Sequence, residues 1–177
     1  MVAAMTPASA ARAQRPIVLV TGGSRGIGLA LARGFAARGH DLILVARDAE
    51  RLQRAAAAIA AAHGVSAEHI SCDLAEPDAV ARLMAAIAAA GCYVDILVNC
   101  AGVGASGAFA SSDPHAIRRA LHLNIDAATA LMHACLPAMV ARRSGGVLNV
   151  ASLAGMLPMP YLALYGASAV ESEIRHR

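Results

Sequence analysis

Apolar positions along this chain follow two rhythms. Short runs built from β-branched residues and leucine, over residues 17–21, 41–46, 67–72, 94–99 and 146–151, alternate with longer alanine-rich amphipathic stretches. The short runs are apolar enough to be buried on both sides, which is how strands of a parallel sheet read. The long stretches predict helices over 26–38, 48–63, 77–90 and 113–143. Asp48 and Asp113 are suited to cap exposed N–H groups, while Pro77 and Pro114 suit a first helical turn. Pro137 falls inside the last helix and predicts that it bends or divides there. Strands and helices in strict alternation predict an α/β fold, a doubly wound parallel sheet with helices on both faces.

Composition narrows the classes. With 58% hydrophobic and 15% charged residues, the 177-residue chain can bury one substantial core. We expect one domain over residues 16–177, preceded by a disordered tail over 1–15. The formal charge of +3 is carried by arginine alone, since the sequence holds no lysine, and the arginines are scattered. That distribution argues against nucleic acid as a partner. The four cysteines form no Cys-x-x-Cys pair or zinc spacing. Free thiols, no metal and a reducing cytoplasmic setting follow as expectations. Residues 1–15 lack the continuous apolar segment of a secretion signal. The charge-free run 144–170 is long, but Gly145, Gly146, Gly155, Pro158, Pro160 and Gly166 interrupt it, so no membrane helix is expected there.

The strongest local signal follows the first strand and opens the first helix: Thr21-Gly22-Gly23-Ser24-Arg25-Gly26-Ile27-Gly28. In a Rossmann-type fold such a turn lets Gly22 reverse the chain, Gly26 admit a diphosphate and Gly28 pack helix on strand. Ser24, Arg25 and Ile27 complete the loop around the ligand, which meets free N–H groups at the positive helix end. At the end of the second strand an acidic residue would bind the two ribose hydroxyls of NAD. This chain has Ala46-Arg47-Asp48 instead. Arg47 and Arg25 are placed to grip an additional phosphate, which predicts NADP(H) in preference to NAD(H). The alternative makes both solvated surface arginines, with Asp48 a helix cap only.

The Gly-x-x-x-Gly-x-Gly spacing and its flanks resemble the short-chain dehydrogenase/reductase family over nearly everything after residue 15. The resemblance implies that Asp73 and Leu74, after the third strand, contact the adenine. It also implies that Asn99-Cys100-Ala101-Gly102 stands for the family's Asn-Asn-Ala-Gly turn, with Asn99, Ala101 and Gly102 at the cofactor and Cys100 a departure. Ser152 and, thirteen residues on, Tyr165 correspond to its serine and tyrosine, and Asn124 to its catalytic asparagine. By analogy Tyr165 exchanges a proton with the oxygen of a small alcohol or carbonyl substrate, Ser152 hydrogen-bonds that oxygen and Asn124 organises a water relay.

Two departures set limits on this analogy. The family motif requires lysine four residues after tyrosine, and this chain has Ala169. Bringing a phenol from a pKa near ~10 to about 7 takes roughly 4 kcal/mol of tyrosinate stabilisation, which a methyl group cannot supply. Arg175, ten residues beyond Tyr165, lies on a different helix face. The family also continues past the position of Arg177 through two further strands and a substrate-covering segment. The expectation is therefore a truncated sheet lacking its final strands. A homo-oligomer built on the long helix and the tyrosine helix is expected for the family and in doubt here. Met156, Leu157, Met159, Tyr161 and Leu162 suggest an apolar substrate wall or simple packing. Two functions stand against each other: an impaired NADP(H)-dependent oxidoreductase, and a non-catalytic nucleotide-binding or partner-binding remnant.

Overall fold

A computed structural model describes residues 17–104 and 106–169. The tail expected over 1–15 and the closing residues from 170 onward, Arg175 included, lie outside the described residues.

Five parallel strands form one sheet: β1 (Ile17–Thr21), β2 (Asp41–Ala46), β3 (Ala67–Ser71), β4 (Val94–Asn99) and β5 (Gly146–Asn149), in spatial order β3-β2-β1-β4-β5. The helices are α1 (Gly26–Ala36), α2 (Ala49–His63), α3 (Ala79–Ala89), α4 (Pro114–Leu121), α5 (Ala127–Arg142) and α6 (Ala163–Ala169). The order reverses between β1 and β4, and in open sheets of this kind the crevice at the carboxyl ends beside that point is where ligands bind. This is the Rossmann-type doubly wound architecture that the two rhythms predict.

The central strands β1, β2 and β4 bury residues on opposite sides, so the core is two cores, while β3 buries only Ile70 and β5 is partly exposed along its length. Leu19, Ile43, Val45, Ile70 and Leu97 face α3 and α5, meeting Leu83, Ile87, Leu131 and Met139. Val18, Val20, Leu42, Leu44 and Val98 face α1 and α2, meeting Ala32, Leu52 and Ile59. Alanine on α1 and α2 lets those helices lie close to the sheet. A fully buried leucine, isoleucine or valine contributes about 1.5–3 kcal/mol relative to exposure, so these strand residues dominate the stabilising side.

Most helix signals read as expected: Asp48 accepts from the Arg51 N–H and Asp113 from the His115 N–H, both at 3.0 Å. Two expectations need correction. Pro77 is not in a first helical turn, because Asp78 adopts a left-handed conformation (φ 56°) and α3 begins at Ala79. Aspartate tolerates that conformation, and the turn after β3 uses it to set the helix direction. The long helix does not divide at Pro137, which lies within α5. Its irregularity falls earlier, in a π-helical turn over His122–Asp126 between α4 and α5, where the Ala127 N–H reaches back to His122 O. Together these three pieces, Pro114–Arg142, are long and apolar enough by length and composition to cross a membrane. Within the fold, Leu131, Met132, Cys135 and Met139 of that rod are packed against the sheet.

Candidate functional site

β1 leaves the sheet at Thr21, and the Thr21 hydroxyl stitches two turns together. It donates to Val98 O at 3.3 Å and accepts from the Cys100 and Ala101 N–H groups at 3.0 Å each. The turn after β4 is thereby held beside the turn after β1. Helix α1 then starts with no side-chain cap and no acid in its first turn. Its positive end faces the cleft, where it favours an anion. A Cβ on Gly28 would stand 2.4 Å from Gly22 O, so only glycine lets the helix approach the preceding turn this closely.

A cleft of about 810 Å³ opens here, at the carboxyl ends of β1, β2 and β3. Of the predicted cofactor residues, Gly22, Ser24, Arg25, Gly26, Ile27 and Gly28 line it on the α1 side. Arg47, Asp73 and Leu74 line it at the β2 and β3 exits, and Ala101 and Gly102 at the β4 exit. The wall also includes Arg51, which sequence reasoning missed; it lies in the first turn of α2, just after the β2 exit that carries Arg47. Asp48 lies in the same wall, but its carboxylate caps α2 and pairs with the Arg51 guanidinium at 3.4 Å. The β2 exit is thus cationic on balance.

Asp73 is held from two sides. Oδ1 accepts from the Ala75 N–H at 3.1 Å, and Oδ2 from Arg119 Nη2 on α4 at 3.0 Å. Burial alone would raise this carboxyl, but the Ala75 and Arg119 hydrogen bonds together outweigh it and hold Asp73 below the ordinary aspartate value. Cys100 lines the same cleft at the β4 exit. Burial pushes its thiol up, offset only in part by the Gly28 N–H that points at the sulfur.

Asn99 stands apart from the cleft. It is buried at 7% exposure, and its Nδ2 donates to Asn149 Oδ1 at 2.9 Å and to Ala128 O at 3.4 Å. Its side chain fastens β4 to β5 and to α5, and it lines a separate internal cavity of about 40 Å³ with Asn124.

The side carrying Ser152 and Tyr165 is built around α6. A Cβ on Gly166 would lie 2.8 Å from Ala154 O, so glycine lets α6 press against the 3-10 turn Leu153–Gly155 that Ser152 caps. Ser152 Oγ accepts from the Ala154 N–H at 3.2 Å. Asn124, in the π turn, gives its whole amide to the protein: Oδ1 accepts from Val103 N–H at 2.9 Å, while Nδ2 donates to Val103 O at 3.0 Å and to Ser168 Oγ at 2.9 Å. Ser168 in turn donates to Tyr165 O at 3.1 Å. Ser168 is the link that sequence reasoning missed between the asparagine and the tyrosine helix. Ala169 occupies the lysine position and is itself buried. Two hollows flank the start of α6: a mostly apolar one of about 450 Å³ including Leu157, Met159 and Leu162, and one of about 440 Å³ of mixed character, including Phe109, Ile117 and Tyr161 beside Ser106, Ser112 and Asp113. Neither Ser152 nor Tyr165 lines the nucleotide cleft.

A nucleotide-binding α/β protein with a serine and a tyrosine on the far side of its switch point is the class that this geometry defines. The profile of the short chain dehydrogenase family matches residues 16–171, and the chain belongs to that family. It is 35% identical over 157 residues to a dehydrogenase/reductase SDR family member 7B from Bos taurus, covering 86% of this chain and 48% of that relative. The chain therefore spans about half the length of the curated relatives it matches. Among solved structures it is similar to a short-chain dehydrogenase from Sphingobium yanoikuyae in complex with NADPH, at 38% identity and a TM-score of 0.83, covering 89% of this chain and 61% of that one. A bulky-bulky ketone specific alcohol dehydrogenase from Comamonas testosteroni matches with a TM-score of 0.83 at 33% identity, covering 89% and 63%.

Proposed function

We propose that this chain holds NADP(H), in preference to NAD(H), in the cleft at the β1–β3 exits, and that its chemistry is oxidation or reduction at a secondary alcohol or carbonyl carbon. The observation that carries the reading is the pairing of an uncapped α1 amino end with Arg25, Arg47 and Arg51 in one wall. Asp48, the acid that follows Arg47 in sequence, caps its own helix and pairs with Arg51, which offsets its repulsion of an added phosphate. Guanidinium pairs suit phosphate dianions because their donors match phosphate geometry. The NADPH-bound relative from Sphingobium yanoikuyae supports the same cofactor.

When bound, the nicotinamide supplies or takes the hydride; the protein's part is to orient an oxygen and move a proton. Ser152 accepts from the Ala154 N–H and keeps its own proton to donate to a substrate oxygen. Tyr165 is the proton donor or acceptor, impaired because Ala169 leaves no ammonium one helical turn away. The apolar hollow lined by Leu157, Met159 and Leu162 beside α6 favours a substrate with an apolar part. The free cysteines suit a reducing, cytoplasmic setting. Ala169 also motivates a second reading, a dinucleotide binder without turnover.

Calorimetric titration combined with a carbonyl panel separates these readings. NADPH should bind at least tenfold more tightly than NADH, and Arg47→Ala should remove most of that preference. Slow NADPH consumption supports the enzyme, saturable binding with no consumption supports the binder, and equal affinity for both dinucleotides refutes the cofactor assignment.

A further inference from the structure

On the dinucleotide reading, the diphosphate would meet the α1 amides at the β1 exit and the ribose phosphate the arginines at the β2 exit. The base would then reach the β3 exit, where Asp73 and Leu74 line the same cleft.

The carboxylate waiting there is braced from across the molecule. Arg119 comes from α4, on the other half of the sheet and 46 residues along the chain. Its Nη2 donates to Asp73 Oδ2 at 3.0 Å while Nη1 lies 3.5 Å from Glu76 Oε1, so one guanidinium spans two carboxylates of the β3–α3 turn. An ionised carboxylate has about four acceptor positions, and Ala75 and Arg119 take two. Since Asp73 lines the cleft, the remainder is open to a donor on the ligand. Adenine presents an exocyclic amino group, whereas a 6-oxo purine presents an acceptor that a fixed carboxylate repels.

We propose that Arg119 is a positioning residue for base recognition: by fixing the Asp73 carboxylate in one orientation, it makes the β3 exit select an amino purine over an oxo purine. This rests on the dinucleotide reading above. An ion pair serving only to brace α4 would show no base preference, because it would act on every dinucleotide alike.

The test titrates the whole chain with NADP⁺ and with its hypoxanthine analogue, recording unfolding midpoints alongside. The chain should bind the adenine form about tenfold more tightly. Arg119→Met should narrow that ratio several-fold, mainly by weakening the adenine form, and Arg119→Lys should restore part of it. Should Arg119→Met fail to fold, Asp73→Asn carries the test, since its amide can donate to a 6-oxo group and should collapse or invert the preference. Equal affinity of the unaltered chain for both forms, an unchanged ratio in Arg119→Met, or an equal loss for both forms overturns the proposal alone. Uptake of neither dinucleotide overturns the dinucleotide reading and this proposal with it.

Discussion

The two ends of the crevice make their chemistry in different ways. At the β1–β3 exits the recognising groups are mostly backbone amides at a helix start, held by Thr21 and by the close contact of Gly28 with Gly22, with arginines added at the rim. At the β5 side the chemistry proposed above would rest on side chains, Ser152 and Tyr165, set by the packing of Gly166 and the Ser168 hydrogen bonds, and on a cation that position 169 does not provide. A site built from backbone survives most substitutions, because any residue supplies an N–H. A site that needs one ammonium is disabled by one residue. On the proposed reading the nucleotide end keeps its binding groups, while the proton-transfer end lacks an ammonium at position 169.

Two substitutions and one labelling measurement sharpen this contrast. The largest effect belongs to Gly28→Ala, which forces a methyl group to within 2.4 Å of Gly22 O. It should cost about 3 kcal/mol and abolish dinucleotide binding, read by chemical denaturation and calorimetry. Unimpaired binding would show that the α1 turn is not the anchor. Next comes Ala169→Lys, which places an ammonium one turn from Tyr165. Turnover of NADPH with a carbonyl substrate should rise about 10²-fold with dinucleotide affinity little changed, and a rise in affinity without turnover would count against Tyr165 as the proton carrier. The smallest effect concerns thiols. Burial raises Cys100, so alkylation near neutral pH should be slower than for an unstructured cysteine and should quicken as pH rises. NADPH should slow it further, whereas Cys135, pushed up to about 11 by burial, should stay inert with or without ligand.

Much of this was legible beforehand, for reasons that differ by element. β1 and β2 were readable because both their faces are buried, but the same burial expected of β3 and β5 does not hold, since these strands stand at the two sheet edges and stay mostly half-exposed. The glycine turn was readable because its spacing records a backbone geometry. The π turn over His122–Asp126 was not, since Leu123 and Asn124 give no periodic sign of an extra residue in the helix, and Pro137 drew attention to the wrong place. Arg119 was equally hidden, because its meaning depends on Asp73, which the fold brings beside it from across the sheet. Asn99 belonged to the right turn, yet its side chain is spent on fastening strands.

The central claim is that a dinucleotide sits on the α1 amides between Arg25 and Arg47. An NMR titration of the ¹⁵N-labelled chain with NADPH tests it directly. Saturable shifts should concentrate on the amides of Gly22, Gly26, Ile27 and Gly28, with weaker changes at Arg47 and Asp73. Shifts confined to α6 and the 3-10 turn, or none at saturating ligand, would contradict the account.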